Sequence, residues 1–125
     1  MNQAELDVVI EKHEKWLRDG YGERADLRGA NLRHADLRRA DLSGANLRHT
    51  NLSNAVLTGA DLTHANLSNA DLTGADLRHT NLTNADLSNA NLTNAVLTWV
   101  NWQDVRGLTV VAVQVDTTRK NNQIA

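Results

Sequence analysis

Cysteine is absent from the 125 residues, so neither a disulfide nor a thiolate metal site can be part of this structure. Long apolar runs are missing too. No window approaches the ~18 apolar residues of a membrane-spanning helix, and the N-terminus has no basic-then-apolar signal pattern. The expectation is therefore a soluble, cytoplasmic protein with no membrane association. Without a secretion signal, the N-x-S/T sequons at Asn51, Asn66, Asn81 and Asn91 carry no information. Net charge is also small, at -2, but unevenly spread: residues 1–23 carry -3, 24–49 carry +3, 50–104 carry -4 and 105–125 carry +2. Aromatic side chains are scarce, and none is interleaved with Arg24, Arg28, Arg33, Arg38, Arg39 and Arg48. Because Asp26, Asp36 and Asp41 also lie among those arginines, the positive block reads as a solvated, charge-mixed surface and not as a nucleic-acid groove.

What is present is organised by repetition. Residues 3–19, QAELDVVIEKHEKWLRD, place Leu6, Val9, Ile10, His13, Trp16 and Leu17 on one stripe at helical spacing. Asn2 with Glu5 three residues on is a start signal, and Gly20 a stop. From Ala25 the pattern changes. Fifteen consecutive pentapeptides run from Ala25 to Trp99, each with Ala or Thr first, Asp, Asn or Val second, and Leu third; a sixteenth, Val100 to Asp104, keeps the register with larger residues.

A period of five suits neither regular element, because five residues rotate an α-helix by about 140° and carry a strand to its opposite face. The chain must turn once per phrase. On the extended part of a phrase the first and third residues point one way and the second points the other, so Ala and Leu go in while Asp/Asn goes out. So short a unit implies coils stacked backbone to backbone at roughly 4.8 Å. The third-position leucines, Leu27, Leu47, Leu67 and Leu87 among them, form the core ladder.

The repeated A(D/N)LXX phrase resembles the pentapeptide-repeat family. That resemblance implies an all-β solenoid, a right-handed quadrilateral parallel β-helix with four phrases, about 20 residues, per coil. It covers residues 25–104 and gives about four coils, a rod of roughly 19 Å. The remaining segments read as an N-terminal capping α-helix and link (1–24) and a C-terminal strand with a polar tail (105–125). The helix would seal the first coil with Leu6, Val9, Ile10, Trp16 and Leu17 facing inward. At the far end Trp102 replaces Leu, and the register slips at Val105-Arg106-Gly107-Leu108.

A second period of fifteen repeats Gly29, Gly44, Gly59 and Gly74, and also His34, His49, His64 and His79. On a three-sided coil those histidines would stack into a ladder and make a metal candidate. On the four-sided coil that the resemblance implies, they fall on different faces and are an echo of duplication. No metal or cofactor is then expected. His13 reads as an interface residue beside Trp16.

Sorted on a four-sided rod, the outward residues give one acidic face with Asp41, Asp61 and Asp104. A second face carries Asp36, Arg38, Arg39, Asp76 and Arg78 together with the only outward apolar patch, Val56, Val96 and Trp99. Asparagine ladders, Asn31 to Asn51 and Asn46 to Asn66, are expected to exchange amide hydrogen bonds between coils. Inward polar residues are Thr50 and Thr80, expected to bond to backbone. Nothing resembles a catalytic constellation or a pocket for a small-molecule substrate.

The functional expectation is a non-enzymatic, bacterial, rigid interaction scaffold for a protein partner that the sequence does not identify. Its contact surface would be Val56, Val96 and Trp99 with Val111 and Val113 of the strand LTVVAVQV, which could also mediate a homodimer through the C-terminal end. The alternative comes from the resemblance, whose members include proteins that bind DNA gyrase by mimicking DNA. Against it, a duplex of equal length carries about eleven phosphate charges at one per 1.7 Å, whereas the most acidic face here carries three.

Overall fold

The structure, a computed structural model, describes residues 1–108. It begins with α1, Gln3–Asp19, and both ends of that helix follow from local chemistry. Asn2 stands in an extended conformation and its side chain accepts from the Glu5 N–H at 2.8 Å, while Glu5 Oε1 accepts from the Asn2 N–H at 3.1 Å. This reciprocal box satisfies two of the N–H groups a helix start leaves over. Gly20, at φ +80°, ends the helix with its N–H on the Trp16 carbonyl. The link then folds back along the helix. Glu23 N–H bonds to Lys12 O at 3.1 Å, and a side chain at Gly22 would overlap that carbonyl.

Beyond the link the backbone repeats. Second-position residues form parallel bridges with residues 20 further on, from Asp26 with Asn46 through Asp86 with Arg106. Each coil is therefore four phrases long. Three kinds of bond hold neighbouring coils, as in Leu27 N to Asn46 O at 2.8 Å, Gly29 N to Arg48 O at 2.9 Å and Asn46 N to Ala25 O at 3.0 Å. Each corner is a turn closed by a bond such as Ala30 N to Leu27 O, 3.0 Å.

The leucine columns fill the inside as expected. Leu27 through Leu97 are all 2% exposed or less. Thr50 and Thr80, also buried, each donate to a backbone carbonyl: Thr50 Oγ1 to Leu47 O at 2.8 Å and Thr80 Oγ1 to Leu57 O, in the coil before, at 2.9 Å. Trp102 packs half-buried against the end of this core, and its buried indole N–H has no hydrogen-bond partner among the described residues.

Three expectations are corrected. Leu17 does not face inward but is 38% exposed, because α1 buries only Leu6 and His13 fully and its last residues, 17–19, stand clear of the coil. Trp16 is half-buried and lies against the His13 ring, with centroids 5.4 Å apart. The register does not slip at Val105-Arg106. Arg106 still pairs with Asp86, donating to Ala85 O and accepting from Leu87 N, since backbone bonds set the register even where the leucine has gone. The chain departs only at Gly107, φ +77°. Finally, the asparagines do not form amide ladders between coils. Asn31, Asn46, Asn51 and Asn66 each turn Oδ1 onto the N–H two residues later in their own coil.

Candidate interaction face

Three local rules govern most of the outside of the coil. The first concerns the second position, where Oδ1 of Asp or Asn accepts from the backbone N–H two residues on, for instance Asp61 from Thr63 at 3.0 Å and Asn51 from Ser53 at 3.0 Å. This is an Asx-type turn. Only an acceptor oxygen is used, so acid and amide serve equally well.

The second rule concerns the fourth position, which donates to that same oxygen. Ser and Thr hydroxyls reach it at 2.5–2.7 Å, as in Ser68 with Asn66 and Thr63 with Asp61. Where Arg follows Asp, the guanidinium forms a two-point ion pair: Arg28 with Asp26 and Arg38 with Asp36 at 2.8 Å, and Arg78 with Asp76 at 2.6 Å. The hydrogen bonds from Arg38 hold the Asp36 carboxyl down at about 2. Arg28 and Arg78 lower Asp26 and Asp76 in the same way, and the Ser88 hydroxyl lowers Asp86, helped by its backbone N–H and by Arg106 and Arg48.

The third rule explains the recurring glycines and histidines. Every fifth-position residue from Gly29 to Asp104 has a φ between +55° and +72°. Left-handed backbone favours Gly and, among residues with a side chain, Asn, Asp and His. Those four residue types fill this position except at Arg39 and Trp99. His34, His49, His64 and His79 are thus corner residues, each exposed, and the 20-residue coil puts them at four different corners. No group of three or more potential metal ligands occurs among the described residues.

Within the sixteen phrases, departures from the first and third rules gather on one face. The second position fails to supply an oxygen at Val56 and Val96, and these stand in one bridge column with Asp36 and Asp76. The fifth position departs at Arg39 and Trp99, which are 60 residues and hence three coils apart at one corner of that same face. Between them in the column stand Gly59, whose missing side chain would have met Arg39 Cγ at 3.5 Å, and His79. His79 and Trp99 stack with centroids 6.4 Å apart and planes within 6°. Val96 is 43% exposed, Trp99 38%, and Val56 half-buried. Val111 and Val113, the other members of the expected patch, lie outside the described residues.

The residues expected to form the acidic face share one side of the coil. Asp41 pairs with Asp61, Asp61 with Asn81 and Asn81 with Asn101, while Asp104 occupies the corner beyond. Two of its three carboxylates serve the first two rules, since Asp41 accepts from the Ser43 N–H and hydroxyl and Asp61 from those of Thr63.

The family profile described as pentapeptide repeats matches residues 23–59, 40–78 and 70–101, with eight copies of its unit. The chain belongs to the pentapeptide-repeat family. Its structural relatives are known as right-handed quadrilateral β-helices, and the 20-residue register found here is that of a four-sided coil. Among solved structures, the chain is similar to the pentapeptide repeat protein Rfr23 from the cyanobacterium Cyanothece 51142, at 39% identity over 66% of this chain and 60% of that one, TM-score 0.48. It thus spans about three-fifths of that relative's length. It is also similar to alr5209, a pentapeptide repeat protein from Nostoc Pcc 7120, at 38% identity over 70% and 74% of the two chains, TM-score 0.38. A trypsin-treated QnrB1, a plasmid-mediated fluoroquinolone resistance protein, matches at 21% identity over 65% and 52%, TM-score 0.40. No curated protein matches the sequence significantly. No helix among the described residues is long and apolar enough to cross a membrane.

Proposed function

We propose that this protein is a non-enzymatic, cytoplasmic scaffold, about four coils sealed by α1, that presents the Val56/Val96/Trp99 face to a protein partner. The observation that carries this reading is the gathering of rule-breaking residues on one face. Left-handed backbone costs a bulky side chain about 1–2 kcal/mol, and an outward valine forfeits the Asx turn while exposing apolar surface. Such costs, borne together at one place, mark a contact surface better than they mark drift. Trp and Arg are also the side chains most often responsible for binding energy at protein interfaces.

The test exploits the third rule. Trp99→Asn installs a residue the corner favours, and Val96→Asp restores the turn acceptor. Both variants should fold with a melting temperature within about 5 °C of the parent, yet lose the partner captured from the native host by the parent protein. Retention of that partner by the double variant would exclude the face.

The gyrase-directed alternative would use Asp41, Asp61 and Asp104. It is the weaker reading, because two of those carboxylates are engaged in their own turns and three charges are far from the about eleven of a matching duplex. A gyrase supercoiling assay with micromolar protein separates the two: inhibition, or protection from a quinolone, would favour the DNA mimic.

A further inference from the structure

In every coil after the first, second-position N–H groups bond to carbonyls of the coil before, as Asn46 does to Ala25, Asn51 to Ala30, Val56 to Ala35 and Asp61 to Ala40. The first coil has none before it, and side chains of α1 fill in. His13 Nδ1 accepts from Ala25 N at 2.9 Å, and Nε2 donates to Ser43 O at 2.8 Å. Gln3 meets Asp36 at two points, accepting from its N–H and donating to its carbonyl, both at 2.9 Å. Glu14 accepts from Asp41 N at 3.2 Å.

Two stretches of this edge are left beside openings under α1, Asp26 at a smaller one lined with Val8, Val9 and Lys12, and Asn31–Arg33 at a larger one. Among the described residues neither the N–H nor the carbonyl of Asn31, nor the carbonyl of Arg33, has a hydrogen-bond partner. Next to them a cleft of about 250 Å³ separates the start of α1 from the coil, with Met1, Gln3 and Leu6 on one wall and Leu32, Arg33 and His34 on the other. That is below the roughly 300–1,000 Å³ of small-molecule sites. The cleft also carries an unpaired charge. Arg28 and Arg38 are paired with Asp26 and Asp36, whereas Arg33, which follows an asparagine as Arg48 does, makes no ion pair among the described residues.

We propose that this cleft binds an extended peptide segment of another protein that carries a carboxylate side chain, laid on the Asn31–Arg33 edge as the missing piece of coil. The segment gives a carbonyl to the Asn31 N–H and N–H groups to the carbonyls of Asn31 and Arg33. Its acid meets the Arg33 guanidinium, and an apolar neighbour enters the cleft over Leu6 and Leu32. This is strand addition to an open edge, in which backbone bonds supply affinity and alternate side chains supply specificity.

The test uses the full chain and a fluorescent five-residue peptide alternating valine and glutamate. Saturable binding is expected with Kd on the order of 100 μM, with amide shift changes in the protein centred on residues 31–34. Replacing glutamate by lysine in the peptide should weaken binding about tenfold, and methylating the central backbone nitrogens about fivefold. Arg33→Ser, which installs the residue found one coil on at Ser53, should remove the preference for glutamate over lysine and leave the melting temperature unchanged. Equal binding of the methylated peptide would overturn the proposal. So would shift changes centred on Val96 and Trp99, no saturation at millimolar peptide, or light scattering that shows a dimer insensitive to peptide because a second copy takes the edge.

Discussion

Replacing His13 tests most directly how α1 is fastened to the rod. The imidazole is 0% exposed, and its two nitrogens play opposite parts. A backbone N–H can only donate, so Nδ1 must accept from Ala25; the proton sits on Nε2, which donates to the Ser43 carbonyl. His13→Ala strands the N–H of Ala25, itself 3% exposed, at a cost of about 1–3 kcal/mol. It also removes the bond to Ser43 and leaves a ring-sized void beside Trp16, so the total loss is about 3–5 kcal/mol. Asn and Gln offer an acceptor and a donor on one amide, but neither spans the two sites that the ring joins, so His13→Asn and His13→Gln should recover at most about half. Urea unfolding at pH 7.5 gives the stability, and hydrogen exchange at the Ala25 amide reports the bond itself. A loss below about 1 kcal/mol in His13→Ala, or unchanged protection of the Ala25 amide, would refute the account of α1 as a substitute for a missing coil.

Acid should weaken the rod through the lowered carboxyls. Asp36, at about 2 in the folded chain against about 3.9 in an unfolded one, contributes stability above pH 4 that is lost as pH falls towards 2. Because the pair is exposed, the effect is small, and Asp36→Asn with Asp76→Asn should flatten the melting temperature between pH 5 and 2 by about 1–3 °C; an unchanged slope would refute the link. Glycine corners give a graded test. Gly29→Ala meets nothing within 4 Å and should lose only about 1 kcal/mol from its left-handed backbone, whereas Gly107→Ala would press on Ser88 Cα at 2.6 Å and should lose more. Equal melting temperatures for the two variants would contradict that order.

The leucine column and the bounds of α1 were legible because each rests on a strong local signal: an unbroken third letter in one case, a capping box and a glycine stop in the other. The corner letters were harder. Gly44, His49 and Asn54 look like a recurring site or a relic of duplication, and the fifteen-residue period is real, but left-handed backbone is the reason these residue types are tolerated there. The clue was their chemistry, since Gly, Asn and His share little except tolerance of positive φ. The fastening of α1 was only half visible. His13 stood on the apolar stripe, whereas Gln3 and Glu14 carry no periodic signal and act only because the edge of the first coil lies against them. The choice of Val56, Val96 and Trp99 as the contact surface began as a remark about exposed apolar residues. The rules that those residues break, visible once the turns are seen, supply its physical argument.

The second-position oxygen has an evolutionary consequence. Since the turn needs an acceptor and ignores the charge, Asn and Asp can replace one another along whole columns, as they already do between Asp61 and Asn81 or Asn66 and Asp86. One nucleotide separates their codons. A lineage can therefore repaint a face from neutral to strongly acidic, site by site, while the scaffold beneath stays the same. Binding specificity and foldability are inherited almost independently in such a chain, so a repeat protein of this kind can take on new partners faster than its architecture changes.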